Sequence, residues 1–554
     1  MSGSQFPLHV RDLIRPGDMF AGNLNAQLTG IQHDSRRVEA GNLFVAVRGG
    51  KSDGHSFIGQ AIGKGAVAII YEQGRTELDA FLRDYPAIAW IGVNDSREAL
   101  AGCAARFYGY PSSEIGVIGI TGTNGKTTTS YILKSILEAL QHKVGLIGTI
   151  NYMVGDRVYA ASHTTPEAAD FQKLLRTMAD AGCGYAVSEV SSHALAQRRV
   201  DGTQFRAAVF TNLTRDHLDF HGTMENYFHA KQRLFAELLI PGGIAAVNVD
   251  DAYGRTLVDQ LRSEQDHGKD IRILTYAMHN EEADVYANRV DPGFEHTSCT
   301  FRIKTSGGER FLDLESPMIG TTNVLNILAA VTVAVGLGVP DSALKEGIKS
   351  TAVVRGRFER VAVGQRYLAI IDYAHTEDAL ERLLQNARAL LELSGAGRRP
   401  ARGKKRDDYL FLPQVNGQGR IITVFGCGGN RDQGKRPRMG EIASRLSYFV
   451  ILTSDNPRFE DPKAIVREIE AGIRKDNYIV IHDRRAAIAM AVELASPGDI
   501  IVIAGKGHED YQEIKGTRHL FSDREVLEEA IRRSMERHAR GARRTKRSGM
   551  SRTC

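Results

Sequence analysis

The chain has 554 residues, 42% of them hydrophobic, with 71 Lys+Arg against 66 Asp+Glu for a net charge of +5. That length is too great for one hydrophobic core, so about two to four domains of ordinary soluble composition are expected. The five cysteines, Cys103, Cys183, Cys299, Cys427 and Cys554, stand far apart without a Cys-x-x-Cys pair, which argues against a disulfide framework or a zinc ribbon and fits a reducing cytoplasm. No apolar run approaches the roughly 20 residues of a bilayer span, and the first residues lack the apolar core of a signal peptide, so neither insertion nor export is expected. The charge is uneven. Residues 532–554 hold nine basic residues and one acid, and six more basic residues lie between Arg398 and Arg406. With these two stretches set aside, the body of the chain is mildly acidic.

Short β-branched runs alternate with helical patterns along the chain, the signature of α/β units with parallel sheets. A strand at 66–70 belongs to a smaller N-terminal α/β domain predicted over 1–112, closed by Pro111-Ser112-Ser113. Strands at 115–120, 207–210 and 244–248 and a helical pattern at 323–337 form a central domain over 113–350, with a parallel sheet of the phosphate-loop ATPase kind. The stretch 353–360 reads as the junction, and as the hinge for any closure, to a Rossmann-like C-terminal domain over 351–531 with strands at 421–425, 449–453 and 500–504. Inside it, residues 394–419 are rich in Gly, Pro and charge and read as a solvated insertion. Residues 532–554 read as a basic, flexible tail.

The most informative stretch is 115–128, Ile-Gly-Val-Ile-Gly-Ile-Thr-Gly-Thr-Asn-Gly-Lys-Thr-Thr, followed by a helix whose apolar face is Ile132, Leu133, Ile136, Leu137 and Leu140. A strand entering a glycine turn and then a helix is the setting of a phosphate loop. Backbone N–H groups of 122–128 face the phosphates, Lys126 supplies a charge and the Thr127 hydroxyl can reach Mg²⁺. The first glycine of the usual G-x-x-x-x-G-K-[ST] pattern is replaced by Ile120. Downstream, Glu189 closes an apolar strand where an acid could hold the other side of the same ion. Asp216, His217, Asp219 and His221 follow another strand and add acid and imidazole candidates, although a polar loop with a helix cap at Asp216 would look the same. Lys231, by its residues alone, is a helix lysine.

The loop Thr-Gly-Thr-Asn-Gly-Lys-Thr-Thr resembles that of the Mur ligases and their folylpolyglutamate synthetase relatives, which couple ATP hydrolysis to amide formation through an acyl phosphate. The run Asp216-His-Leu-Asp219-x-His221 with Lys231 resembles the Mur pattern in which that lysine is carbamylated. The resemblance implies catalytic roles for Lys126, Lys231, Glu189 and His217, and about two Mg²⁺ ions held by Thr127, Glu189, His217 and the Lys231 carbamate. Gly122, Thr123, Asn124, Gly125, Lys126, Thr127, Thr128, Asn323, Asn326, Arg357, Asp372 and His375 would hold ATP. Ser35, His163, Thr164, Thr165, Ser191, Gln197 and Arg199 look like the family's contacts to a UDP-linked muramoyl dipeptide. Motifs spread in order over roughly residues 28–530 carry this likeness.

The incoming amino acid should bind in the last domain, at the carboxyl ends of its strands, where ligands of open α/β sheets collect. Arg436, Asp455, Asn456, Pro457, Arg458, Gly505 and Glu509 are the candidates. Asp455-Asn-Pro-Arg458 resembles the family's meso-diaminopimelate signature, and the chemistry agrees. That amino acid differs from lysine by a second carboxylate, which a planar guanidinium can take bidentately. The implied activity is ATP-dependent addition of meso-diaminopimelate to the D-glutamate γ-carboxyl in the cytoplasm, by a monomer with small-molecule partners only. Two alternatives are a folylpolyglutamate synthetase-type ligase, which needs neither the uridine motifs nor Asp-Asn-Pro-Arg, and a nucleic-acid-binding ATPase using the basic tail and insertion.

Overall fold

The computed structural model describes residues 8–50, 52–293, 295–305, 307–396 and 419–549. Most of the proposed insertion, and Cys554, lie outside them; Cys103, Cys183, Cys299 and Cys427 are buried free thiols. Three α/β domains follow one another, each built on its own sheet.

In the N-terminal domain, Gly30–Gln32, Asn42–Val45, Ala68–Glu72 and Ala89–Val93 pair in parallel, and Met19–Ala21 adds an antiparallel edge. Asn42–Val45 and Ala89–Val93 are buried along their whole length, as continuous apolar runs must be when both faces of a parallel sheet are covered.

The central sheet has eleven strands. Its parallel middle runs through Val144–Ile147, Tyr185–Glu189, Gly116–Thr121, Phe205–Phe210, Leu239–Asn248, Ile271–Ala277 and Val285–Pro292. Lys126–Glu138 and Thr321–Gly336 cover one face, while Ala168–Asp180, Met224–Ala236 and Ala252–Asp266 cover the other. The parallel middle is the sheet expected from the sequence. Antiparallel wings extend it at both ends, Thr297–Thr305 with Gly308–Ser316 on one side and Asn151–Val154 with Arg157–Ala160 on the other. Thr297–Thr305 alternates buried and part-exposed residues, the pattern of a sheet with one wet face, and so lacks the apolar runs that mark the middle strands.

The C-terminal sheet is ordered Glu359–Val361, Leu368–Asp372, Ile500–Ala504, Ile421–Phe425, Phe449–Leu452 and Tyr478–Val480, antiparallel only at its first pair. A hairpin, Tyr511–Ile514 with Thr517–Leu520, follows.

The basic segment after residue 531 departs from expectation. Through residue 549 it continues the helix Asp523–Gly549. Glutamates four residues before Arg532 and Arg533 pair with them, and Arg537 pairs with Glu493 of the neighbouring helix. Such i, i+4 pairs stabilise an exposed helix, which counting charges alone does not reveal.

Polar contacts dock the domains. Arg37 makes a two-pronged pair with Asp170 at 2.8 and 2.9 Å, and Arg198 reaches Asp95 at 3.1 Å. Within the last domain, the fully buried Arg484 and Asp523 form two 2.7 Å hydrogen bonds that tie the C-terminal helix to Arg484–Leu494. Arg484→Met is expected to destabilise the protein by about 3–5 kcal/mol, because Asp523 is left buried without its counter-charge, and Arg484→Met/Asp523→Leu to recover most of that loss. Urea unfolding of the three chains measures both.

Candidate active site

The strand Gly116–Thr121 delivers the chain into the loop 122–125, and the helix Lys126–Glu138 leaves it. Gly125 adopts φ 87°, a backbone open to glycine, and a Cβ there would meet Asn326 Oδ1 at 2.5 Å. The next strand braces the loop. Asn124 N donates to Asn212 Oδ1 at 2.9 Å and Thr211 Oγ1 donates to Asn124 O at 2.6 Å.

Two lysines converge on one acceptor. Lys126 Nζ donates to the Gly122 and Thr123 carbonyls, both at 2.8 Å, and Lys231 Nζ donates to the same Gly122 carbonyl at 2.9 Å. Lys231 is 1% exposed and lies 4.6 Å from the Tyr227 ring centre. Burial, then the neighbouring charge of Lys126, hold its pKa well below the usual lysine range. Burial also lowers that of Lys126, with Glu189 acting against it.

Glu189 is completely buried at the end of Tyr185–Glu189. It accepts from Thr127 Oγ1 at 2.9 Å, Thr149 N at 2.8 Å and Thr149 Oγ1 at 2.9 Å. Among the described residues it has no ion-pair partner. A buried carboxylate satisfied only by neutral donors suits a hard divalent cation. His217 borders the two lysines: it is exposed, 3.4 Å from Asp216, with its ring 4.7 Å from that of His193 and 6.1 Å from that of Tyr227, and the charges of Lys126 and Lys231 both reach it. No hydrogen bond joins it to Thr127, Glu189 or Lys231 among the described residues. Thr128 is buried in the first helical turn.

The C-terminal domain reaches into this loop. Arg357 donates to Thr127 Oγ1 at 3.3 Å, and Asp378 Oδ2 accepts from Asn124 Nδ2 and from Thr214 Oγ1, each at 3.0 Å. Asp372 accepts from Phe358 N at 2.6 Å and Ala374 N at 2.8 Å, shaping the turn that carries Arg357. Asn326 bonds Asn323 at 3.2 Å under the loop, whereas His375 lies at the surface against Tyr373.

A second group borders Glu189. Thr165 Oγ1 donates to Glu189 O at 2.9 Å and accepts from Ser191 N at 3.0 Å; Arg199 donates to Thr165 O at 3.0 Å and Gln197 Oε1 at 2.7 Å. Thr164 meets Thr149 at 3.1 Å, and His163 is exposed. Ser35, in the N-terminal domain, is buried and donates to Gln60 at 2.7 Å.

At the carboxyl ends of the C-terminal strands, Asn456 Nδ2 donates to Glu509 Oε2 at 2.8 Å, and Lys506 Nζ donates to both side chains at 3.1 and 2.9 Å. Asp455 accepts from Asn456 N at 2.5 Å, Pro457 O accepts from Glu460 N at 3.0 Å, and Gly505 N donates to Asp372 O at 3.1 Å. Arg458 adopts a left-handed backbone, φ 51°, which non-glycine residues avoid. It is held there by Arg458 N donating to Glu513 O at 3.0 Å and Lys515 N donating to Arg458 O at 2.6 Å.

Arg436 requires a correction. The helix Lys435–Leu446 turns it into the core, 0% exposed, where it donates to Glu460 at 2.9 Å, Glu468 at 2.8 Å and Gly428 O at 3.1 Å. Both its terminal nitrogens are committed, so it is a structural clamp and not a free ligand. Arg431 is the available guanidinium. It is exposed, makes no ion pair among the described residues, and with Arg458 flanks Gly428: a Cβ on that glycine would lie 3.9 Å from Arg431 Cγ and 3.0 Å from Arg458 Nη1. Sequence reasoning also passed over Thr149, Asp378 and Lys506. Two of these left a signal: Lys506 stands in the same Gly-Lys-Gly-His-Glu run as Gly505 and Glu509, and Asp378 in the same run as Asp372 and His375.

Comparison with known proteins identifies the family. Residues 27–108 match the family described as Mur ligase family, catalytic domain, 120–334 the Mur ligase middle domain, and 411–507 the Mur ligase, glutamate ligase domain. A UDP-N-acetylmuramoyl-L-alanyl-D-glutamate--2,6-diaminopimelate ligase of Geobacter metallireducens is 41% identical over 542 residues, covering 94% of this chain and 97% of that protein. The protein of the same name from Caldanaerobacter subterraneus subsp. tengcongensis is 41% identical over 515 residues, covering 93% of this chain and 96% of its own. A solved structure of a ligase of this name superposes with a TM-score of 0.63 at 32% identity, covering 96% of this chain and all of the other. A Mycobacterium tuberculosis folylpolyglutamate synthase, at TM-score 0.55 and 17% identity over 74% of this chain, shares the fold alone. The chain belongs to the Mur ligase family. It is an ATP-dependent ligase that adds an amino acid.

Asp378→Ala removes the acceptor that joins Asn124 and Thr214 to the C-terminal domain. The KM for ATP is expected to rise about tenfold or more, as for loss of hydrogen bonds to a charged group, with the melting temperature little changed. Steady-state phosphate release with varied ATP checks this.

Proposed function

We propose that the chain adds meso-2,6-diaminopimelate to the D-glutamate γ-carboxyl of UDP-N-acetylmuramoyl-L-alanyl-D-glutamate, at the expense of ATP, as a cytoplasmic monomer supplying peptidoglycan precursor. The observation that carries the choice of amino acid is Arg458. One of its nitrogens donates to Gly429 O at 2.8 Å, and its only carboxylate partner among the described residues, Glu513, lies 3.5 Å from Nε. Its fork therefore keeps capacity for a substrate carboxylate beside Arg431, Asn456 and Glu509.

In this reading residues 1–112 receive the UDP precursor, 113–350 hold ATP and 351–531 bring the amino acid. Thr164, Thr165, Ser191, Gln197 and Arg199 orient the precursor peptide next to Glu189, and Ser35 and His163 serve its more distant parts. Asn323, Asn326, Arg357, Asp372 and His375 line the nucleotide. The γ-carboxylate attacks the γ-phosphorus, the bond to the β-phosphate oxygen breaks, and ADP leaves an acyl phosphate. The amine of diaminopimelate then adds to the acyl carbon, the carbon–oxygen bond to phosphate breaks, and the amine loses a proton. Lys126 moves from the Gly122 and Thr123 carbonyls to the phosphates and neutralises charge on the transferred group. Mg²⁺, when bound by Thr127, Glu189, His217 and a Lys231 carbamate, supplies further neutralisation. Glu189, buried without an ion pair, fits that role. Lys231, buried and with its pKa held below the usual lysine range, offers an amine that could add to CO₂. Contacts of Arg357 and Asp378 with the loop bring the C-terminal domain over the acyl phosphate and shield it from water.

Phosphate release with ATP and the UDP-dipeptide is expected to depend on meso-diaminopimelate and to discriminate against L-lysine by on the order of 10⁴, because lysine strands the Arg458 charge. Equal rates with both amino acids would remove this reading. Lys231→Ala is expected to lose about 10²–10³ in kcat and to regain part of it with added short carboxylates. No rescue, together with unchanged wild-type activity in CO₂-depleted buffer, would exclude the carbamate.

A further inference from the structure

We propose that Glu513 is a specificity-determining residue: an internal carboxylate that competes with the incoming amino acid for Arg458 and so tunes both its binding and its discrimination from lysine. The inference rests on the function proposed above, since it assigns a competitor to the guanidinium on which that function depends.

The hairpin strand Tyr511–Ile514 lies along the Asp455–Arg458 segment, and Glu513 holds it in two places. Glu513 N donates to Asn456 Oδ1 at 3.0 Å, and Glu513 O accepts from Arg458 N at 3.0 Å. The first bond, with Lys506 Nζ on the same oxygen, turns the Asn456 amide so that its nitrogen faces Glu509. The backbone of Glu513 thus fixes the two neighbouring candidate ligands, and its side chain is left to be explained.

Its carboxylate has two cationic neighbours. Arg518 is its cross-strand partner in the hairpin, the usual place for an opposite charge. Yet the Arg518 guanidinium lies over the Tyr511 ring, 4.3 Å from its centre, and among the described residues no ion pair joins it to Glu513. The carboxylate turns instead to Arg458, where Oε2 is 3.5 Å from Nε. Both side chains are about one-fifth exposed, a setting in which charges still interact but water is at hand. At that distance the pair is weak enough to yield to a bidentate substrate carboxylate, and close enough that substrate must displace it or share the guanidinium.

Two consequences follow. Glu513 loosens the grip on diaminopimelate, since two carboxylates contend for one fork. It also softens the rejection of lysine, because it supplies part of the counter-charge that lysine lacks. Removing its charge while keeping its backbone should therefore tighten the first and sharpen the second.

The test uses the full chain in phosphate-release assays with ATP and the UDP-dipeptide, comparing wild type, Glu513→Gln and Glu513→Ala, both of which retain the two backbone hydrogen bonds. For each variant, KM for meso-diaminopimelate is expected to fall about two- to fivefold, the range of a weak ion pair within reach of water, with KM for ATP unchanged and the diaminopimelate-to-lysine ratio of kcat/KM raised. A KM for diaminopimelate that is unchanged or higher in a variant whose KM for ATP matches wild type would overturn the competitor role and leave the proposed function standing. Wild type with no response to diaminopimelate would remove both.

Discussion

The Gly122 carbonyl, which accepts from Lys126 and Lys231 together, is the point around which the rest of the molecule is arranged. Two amines brought to one oxygen, in a place from which water is largely excluded, repel one another when both are charged. The fold answers in two ways. It buries Lys231 so thoroughly that its pKa falls well below the usual lysine range, and it sets nearby the Glu189 carboxylate, which has no ion-pair partner among the described residues. Such a cluster is suited to receive the negative charge of a transferring phosphoryl group and poorly suited to an uncharged ligand. The same logic explains why the net charge of the chain says little about its ligands, since a few placed groups, not an overall field, select them.

That cluster is incomplete within the central domain. Arg357 and Asp378 come from the C-terminal domain and bond directly to Thr127 and Asn124, so the geometry of the phosphate loop is shared property. A domain carrying the amino-acid site is thereby tied to the loop where the acyl group would be activated. Lys506, Asn456 and Glu509 form a second buried polar network in that domain, joined through His508 to Tyr373 and so to the turn that carries Arg357. In a low-dielectric setting a fully satisfied network of this kind holds its members rigidly, which is what a site that must discriminate between two similar amino acids requires.

How much of this could be read in advance depended on the range of the interaction. The phosphate loop was legible because its chemistry is local: strand, glycine turn, lysine and helix are consecutive, and backbone geometry does the rest. Glu189 and Lys231 were legible only through the order of motifs. Arg436 was misread in favour of itself over Arg431 because both sit in one short basic run, and which of two arginines faces the core depends on the helix phase and on Glu460 and Glu468, which lie 24 and 32 residues further on. Thr149 left no signal, since a single hydroxyl at a strand end is common, and Asp378 was marked only by standing in the same run as Asp372 and His375. The antiparallel wings and the helical course of 532–549 escaped for the same reason, their stabilising partners being distant strands or pairs of opposite charge.

The sequence by itself determined the three-domain α/β plan, the phosphate loop and the set of acids, amines and guanidiniums from which a ligase site could be built, because these follow from hydrophobic period and from short motifs whose geometry the backbone imposes. Only the tertiary structure decided which of those side chains meet. It placed Arg436 in the core and Arg431 at the surface, drew Asp378 and Arg357 onto the loop, and set Glu513 against Arg458. Each of these outcomes rests on burial and on contacts between residues far apart in the chain, and neither composition nor spacing encodes a distance across a folded interior.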